Sequence, residues 1–369
     1  MSTLSVNSII DASGGNTASI NGATPTNDNL MGRNKVINGA MEIAERGTSA
    51  VTASQSFPVD RFKIIHYIDG ALSMQQDSSA PAGFISSAKF TTTTADTSLG
   101  TSQYVFFQQR IEGTNIADLA WGTASAKTVT LSFWVRSSLT GTFGGTLMNS
   151  GYTRSYPFSY TISAADTWEQ KTITIAGETT GTWLTDTGIG IRLSFGLGVG
   201  SNYGGTAGAW ASSELYAPTG ATSVIGTLNA TWYITGVQLE AGSVATSFER
   251  RPYGQELALC QRYLPVVLSG NGDVAGSGYC ATTNTNFQIA IPFKVPARTA
   301  PTGLTASSAG HFYVQAHSGG LTVTNVTLGA GGVNGAYVTF AASAGTSGQG
   351  CFIQAISASA NLYFNGCEL

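Results

Sequence analysis

Charge is the scarcest property of this 369-residue chain. Asp, Glu, Lys and Arg together make up 10% of it, against roughly 25% in ordinary soluble domains. The net charge is −3 and no basic tract is visible, which argues against a nucleic-acid partner. Histidine is nearly absent: His66, His311 and His317 are the three. His311, Tyr313, Gln315 and His317 alternate along one strand face. Around a three-fold axis they could hold a metal, but a plain polar outer face explains them as well, and no metal site is assigned. The four cysteines, Cys260, Cys280, Cys351 and Cys367, form no CxxC pair. A zinc cluster is therefore disfavoured, and the expected state is buried thiols in a chain assembled in a reducing cell. No apolar run is long enough to span a bilayer, so no membrane insertion is expected. Residues 1–30 lack a charged region followed by an apolar core and do not read as a signal peptide.

Catalytic patterns are missing too. There is no GxSxG elbow, P-loop or HExxH. Asp60, Glu112 and Glu240 could in principle pair for glycoside hydrolysis, but structural roles explain each of them better. No catalytic residue and no cofactor is assigned, and the chain is not expected to be an enzyme. No repeat of fixed period is found, which disfavours a β-helix or propeller.

What is present is glycine, at 46 residues, with abundant Ser and Thr and 42% hydrophobic content. These favour strands and tight turns over helices. In 128–136, Val129, Leu131, Phe133 and Val135 alternate with Thr130, Ser132, Trp134 and Arg136. In 189–197, Ile191, Leu193 and Phe195 oppose Gly190, Arg192 and Ser194. Ile173 and Ile175 share a face in 171–175. Gly-containing turns separate such runs, the pattern of an antiparallel sandwich. A long aperiodic loop lies between Gly198 and Thr227, and long loops on rigid scaffolds often carry function. Near residue 240 the period changes. Val237 and Leu239 alternate with Gln238 and Glu240. Leu257, Cys260 and Leu264 then recur at helical spacing between Pro252 and Pro265. That short helix needs packing to be stable, so burial of those three residues is expected. A second β region follows, with strands centred on Ile289, Tyr313, Val323, Val338, Ile353 and Tyr363. Pro292 suggests that the first of these lies at an edge or ends in a bulge.

Three stretches carry a family resemblance. One is VQLE (237–240), followed by Ala245, Thr246, Phe248, Glu249, Arg250 and then Glu256, Leu257, Cys260, Gln261, Arg262 and Tyr263. Another is NKVINGAMEIAERG (34–47), with Val59, Asp60, Arg61 and Phe62. The third runs from Gln109 to Ser138. Together they resemble bacteriophage tail-fibre and receptor-binding virion proteins, although Phe62 stands where such proteins more often have Trp. The resemblance implies an all-β chain: an attachment peptide at 1–33, a jelly-roll body at 34–250 like that of carbohydrate-binding modules, a linking helix at 251–265 and a smaller β-sandwich tip at 266–369. It also implies a homotrimer that docks to other virion proteins through residues 1–33. Assembly would be in the host cytoplasm, and the expected target is a host-surface polysaccharide. A purely structural virion part and a polysaccharide-cleaving tailspike remain the alternatives.

Two aromatic patches are candidates for sugar contact. Trp134 falls on the polar register of its strand, with Arg136 beside it and Arg192 on the polar face of another strand. Indole faces stack on sugar C–H groups and Arg donates to hydroxyls or carboxylates. A subunit interface enriches the same residue types. Tyr203, Trp210 and Tyr216 in the long loop form the second patch, which anchoring of the loop to its own domain would equally explain.

Overall fold

The computed structural model describes residues 32–281, 285–317 and 319–369. Most of the expected attachment peptide, residues 1–31, lies outside them. The chain divides into two units, the first ending at Arg250 and the second beginning at Arg251.

The first unit holds β1 (Phe62–Tyr67), β2 (Ala71–Asp77), β3 (Ser87–Thr94), β4 (Tyr104–Glu112), β5 (Val129–Ser137), β6 (Gly141–Met148), β7 (Ser155–Ile162), β8 (Glu169–Ile175), β9 (Ile189–Val199), two-residue strands β10 (Gly204–Gly205) and β11 (Ala217–Pro218), and β12 (Thr231–Ala241). Two five-stranded sheets form, ordered β1-β4-β9-β6-β7 and β2-β3-β12-β5-β8. The chain passes repeatedly from one sheet to the other, as in a jelly roll. Every ladder in them is antiparallel. Val129, Leu131, Phe133, Val135, Ile191, Leu193, Phe195 and Leu197 are all fully buried between the sheets. Trp232 sits among them, 6.3 Å from Phe107 and 5.9 Å from Phe195 between ring centres. Its Nε1 donates to the Tyr160 hydroxyl at 3.2 Å, which satisfies the indole in the core.

Strand β12 changes parity midway. Trp232 and Ile234 point inward, and so do Val237 and Leu239. A strict two-residue period would turn the second pair outward. A bulge between Thr235 and Gln238 supplies the extra residue, and Gly236 takes the positive φ of +62° that it requires.

The bulge leaves Gln238 and Glu240 pointing out of the sandwich, yet they are 0% and 1% exposed. Residues 243–250 return over them. Gln238 accepts from the Glu249 amide at 2.7 Å and donates to Glu240 at 2.8 Å. Glu240 accepts from the Thr246 amide at 2.9 Å and the Thr246 hydroxyl at 2.6 Å. The Glu249 carboxylate in turn accepts from the Gly32 and Asn34 amides at 2.7 and 2.8 Å. Asn34 closes the ring by donating to Val237 O at 3.1 Å and accepting from the Leu239 amide at 3.1 Å. The other motif residues act in the same manner. Gln109 pairs with both backbone groups of Ile37, at 2.8 and 2.7 Å. Asp60 accepts from the Glu45 amide and from Arg46, both at 3.1 Å. Arg61 donates to Arg110 O at 2.7 Å.

The second unit opens with α1 (Tyr253–Gln261), the one α-helix among the described residues. Pro252 stands at its N-cap. Cys260, Gln261, Tyr263 and Leu264 are buried, but Leu257 is only half-buried. The buried seam thus sits at the helix end rather than along its length. Nine strands follow: β13 (Val266–Leu268), β14 (Val274–Cys280), β15 (Asn286–Pro292), β16 (Gly303–Ala306), β17 (Phe312–Ala316), β18 (Gly319–Gly332), β19 (Gly335–Ala342), β20 (Gly350–Ala355) and β21 (Leu362–Asn365). Six close into a barrel, β14-β15-β19-β18-β17-β20, and β13-β21-β16 form a separate three-stranded sheet. Phe287, Ile289, Phe312, Val314, Val338, Phe340 and Ile353 fill its core. Pro292 is at neither an edge nor a bulge. Its strand is paired on both sides, and Pro292 is its last residue, opposite Gly335. A missing N–H costs little at a strand end. His311 lies in a short 3-10 turn before β17 and His317 just beyond it. All four cysteines are free and buried, and burial pushes the Cys351 and Cys367 thiols up to about 11.

Removing the Glu240 carboxylate leaves the Thr246 amide and hydroxyl without their acceptor in a buried place. Glu240→Ala is expected to destabilise the first unit by about 2–4 kcal/mol. Denaturant unfolding checks this, and a loss under about 0.5 kcal/mol, the scale of ordinary surface substitutions, would contradict the clamp.

Candidate functional site

The outer face of the first sheet carries a graded set of side chains. Alternation on β4 sends Val105, Phe107 and Ile111 into the core and Tyr104, Phe106, Gln108 and Arg110 outward. At one end, Tyr67 of β1 lies opposite Tyr104, with ring centres 6.4 Å apart. In the middle, Lys63, Gln108, Ser194 and Thr146 form a polar row across four strands. Gln108 donates to the Ser194 hydroxyl at 2.9 Å within it. At the other end, Arg110 and Arg192 are directly opposed between β4 and β9.

The long loop lies on this face. Tyr216 packs on Phe106 at 4.6 Å and on Tyr104 at 5.1 Å, and Tyr203 stacks on Tyr216 at 4.8 Å. Phe106, Met148 and Tyr216 make a small apolar cluster separate from the main core. Glycines permit the approach. A Cβ on Gly144 would meet Pro218 at 2.4 Å, and one on Gly196 would meet Ala217 at 2.9 Å. A cleft of about 220 Å³ opens beside them, lined by Gly196, Gly198, Ser201, Ala217, Pro218 and Thr222 among others. Tyr216 donates to Glu214, and its own proton is held far more tightly than usual, first by burial and then by that bond. Burial also raises the Tyr104 hydroxyl, with Tyr203, Glu214, Tyr152 and Tyr67 adding to the effect. These groups therefore share one electrostatic neighbourhood.

Arg192 is 5% exposed. Its Nη2 donates to Ser150 O at 3.3 Å, while Nε and Nη1 have no acceptor from the protein. The Tyr152 ring covers the guanidinium at 4.3 Å. Tyr152 itself is 37% exposed in the β6–β7 turn, with φ at +58°.

The structure brings Arg192, Tyr203 and Tyr216 to one face and sends the other three candidates elsewhere. Trp210 does not join the tyrosines. It packs edge-on against Trp121 at 5.4 Å, Trp183 at 5.6 Å and Tyr156 at 5.1 Å, and its Nε1 donates to Ala176 O at 2.9 Å. That knot anchors the loop to its own domain. Trp134 and Arg136 lie on the opposite sheet from Arg192, because β5 and β9 fold into different layers. Trp134 and Phe84 cover the bulge, where a Cβ on Gly236 would meet them at 3.1 and 2.7 Å. Arg136 faces Tyr233 at 5.0 Å and donates to Ser79 Oγ at 3.1 Å and Asp166 at 3.4 Å. Sequence reasoning missed Tyr67, Tyr104, Tyr152, Arg110 and Glu214. Alternation applied to YVFFQQRIE would have found Tyr104 and Arg110. Nothing local marks the others.

No protein-family model matches the chain, and no curated protein matches it in sequence. Solved structures are similar in fold only. One is the enzymatically active domain of tailspike protein 4 of bacteriophage CBA120, at 12% identity over 57% of this chain with a TM-score of 0.32. This chain spans 21% of that one's length. A family 11 carbohydrate-binding module of a Clostridium thermocellum cellulosomal cellulase matches at 11% identity, covering 53% of this chain and 96% of the module, with a TM-score of 0.27. The CBM22-1 xylan-binding domain of Paenibacillus barcinonensis Xyn10C matches at 10% identity over 54% of this chain and 99% of its own, with a TM-score of 0.28. At such scores nothing about binding is carried over.

If the glycines are what seat the loop, Gly196→Val should lift Ala217 and Tyr216 off the sheet. The expected outcome is faster proteolysis within 200–222 and a weakened near-ultraviolet tyrosine signal, with the β content unchanged. Parent-like proteolysis would show that the loop is held by other contacts.

Proposed function

We propose that this chain binds a saccharide without cleaving it, on the outer face of its first sheet, as part of a phage tail appendage. The observation that carries the reading is the convergence of Tyr67, Tyr104, Tyr203 and Tyr216 at one end of a face whose other end carries Arg192. Sugar rings stack their C–H surfaces on aromatic rings, and hydroxyls need fixed donors and acceptors nearby. The adjoining row of Gln108, Ser194 and Thr146 is itself buried, so it supports the face and does not meet the ligand. The virion assignment rests on the resemblance of the Gln238–Arg250 and 34–62 segments to phage fibre proteins. In this reading residues 1–33 dock to other virion proteins, the chain is a homotrimer assembled in the host cytoplasm, and weak single sites gain through many copies.

Purified protein should run as a trimer in light scattering at micromolar concentration, and a stable monomer would remove the trimer from the proposal. On a glycan array the parent should bind, and Tyr104→Ala should bind about fivefold to thirtyfold more weakly, since a lost stacking platform is worth roughly 1–2 kcal/mol. Absence of binding across a broad array, with normal incorporation into virions, would favour a purely structural part. Release of reducing ends from host polysaccharide would favour a tailspike enzyme.

A further inference from the structure

We infer that the glycan taken by this face is acidic, and that Arg192, with Arg110 opposite it on the ladder, seats a sugar carboxylate at the end of the face away from Tyr67 and Tyr104. The inference rests on the saccharide-binding reading and adds the chemical class of the ligand. Three observations lead to it. Arg192 is 95% withdrawn from solvent, being 5% exposed, and its Nε and Nη1 lack an acceptor from the protein. Buried donors on a cation are the costliest polar groups to leave without a partner. The residue opposite it across the ladder is another cation, Arg110. Arg110 is held in place, its Nε donating to Gln108 Oε1 at 3.0 Å, so the charge remains on this face. The nearby carboxylate of Glu214 accepts from the Tyr216 hydroxyl and attracts Arg192 through space, but gives its Nε and Nη1 no hydrogen bond. An anion placed against Arg192 would give its Nε and Nη1 the acceptor that the protein does not supply.

The surroundings favour a carboxylate carried on a sugar over a free anion. Tyr152, in the turn joining β6 and β7, lays a partly exposed ring over the guanidinium. A sugar bearing the carboxylate can lay its ring against Tyr152 or against the Tyr203–Tyr216 stack while the acid group reaches the arginines. A planar carboxylate matches the planar guanidinium in two parallel bonds. Sulfate shares the charge but not that shape, and the test separates the two.

An array carrying uronic-acid and sialic-acid oligosaccharides, each beside its carboxyl-reduced form and a sulfated form, reads the preference directly. The acidic member of at least one pair should bind about tenfold or more tighter than its reduced partner, as expected for a charge-assisted bidentate bond. Arg192→Gln should collapse that ratio toward one. Tyr67→Ala should weaken acidic and reduced members in proportion and leave the ratio in place. Arg192→Lys, which keeps the charge but loses the fork, should fall between. Should Arg192→Gln fail to fold, judged by its melting, Arg110→Gln is read in its place and must also lower the ratio. Equal binding of acidic and reduced forms by the parent would overturn the inference while leaving saccharide binding intact. A preference for sulfated over carboxylated forms would overturn the carboxylate, and no binding to any sugar would overturn both readings.

Discussion

Gln238 and Glu240 point away from the core of the first unit and are nonetheless buried, and the architecture of that unit depends on how they are satisfied. Each polar group withdrawn from water must find partners inside the protein. Here the partners are Thr246 and Glu249 on the returning segment, and Glu249 then holds the amides of Gly32 and Asn34. Asn34 binds back to the same strand, β12. Both ends of the described first unit are thereby fastened to one central strand, which lies between β3 and β5. In a chain with so few charges, these bonds do what scattered surface ion pairs cannot. They are directional and desolvated, and they fix one register.

The bulge at Gly236 belongs to the same constraint. It allows Trp232 to reach the core and, six residues on, Gln238 to face outward. Without the extra residue, either the Trp232 cluster or the Gln238–Glu240 clamp would be turned to the wrong side. Phe84 and Trp134 close over the bulge from outside. Trp134 thus has a packing reason to lie on the polar register, and its outward position need not signal a ligand.

The opposite sheet is relieved of such duties at one end, and the candidate site lies there. The glycine positions in β6 and β9 bring the long loop down onto the sheet, so that side chains from β1, β4 and the loop converge though far apart in sequence. In the proposed saccharide site, stacking on the tyrosines would supply area at low entropic cost and the arginine end would supply direction.

The all-β class, the strand alternation, the helix between Pro252 and Pro265 and the place of the long loop were legible in the sequence, because each is a local property of spacing and turn residues. Alternation correctly put Arg192 on an outer face. It could not say which sheet β9 would join, so Arg192 was grouped with Trp134, from which the sandwich separates it. Periodicity reports the side of a strand; the layer is set by long-range pairing. Trp210 and Tyr216 lie close together in sequence yet end in different clusters, because the loop spans from the Trp121–Trp183 knot to the outer sheet face. The motif residues from Asn34 to Glu249 stand out as a pattern, but their purpose is invisible until the chain returns over β12. Barrel closure in the second unit, which makes Pro292 a strand end without an edge, is likewise decided by tertiary pairing. Local sequence determined which elements form and which sides of them are apolar. Only the fold decided which outward sides meet, since that depends on contacts between residues a hundred or more positions apart.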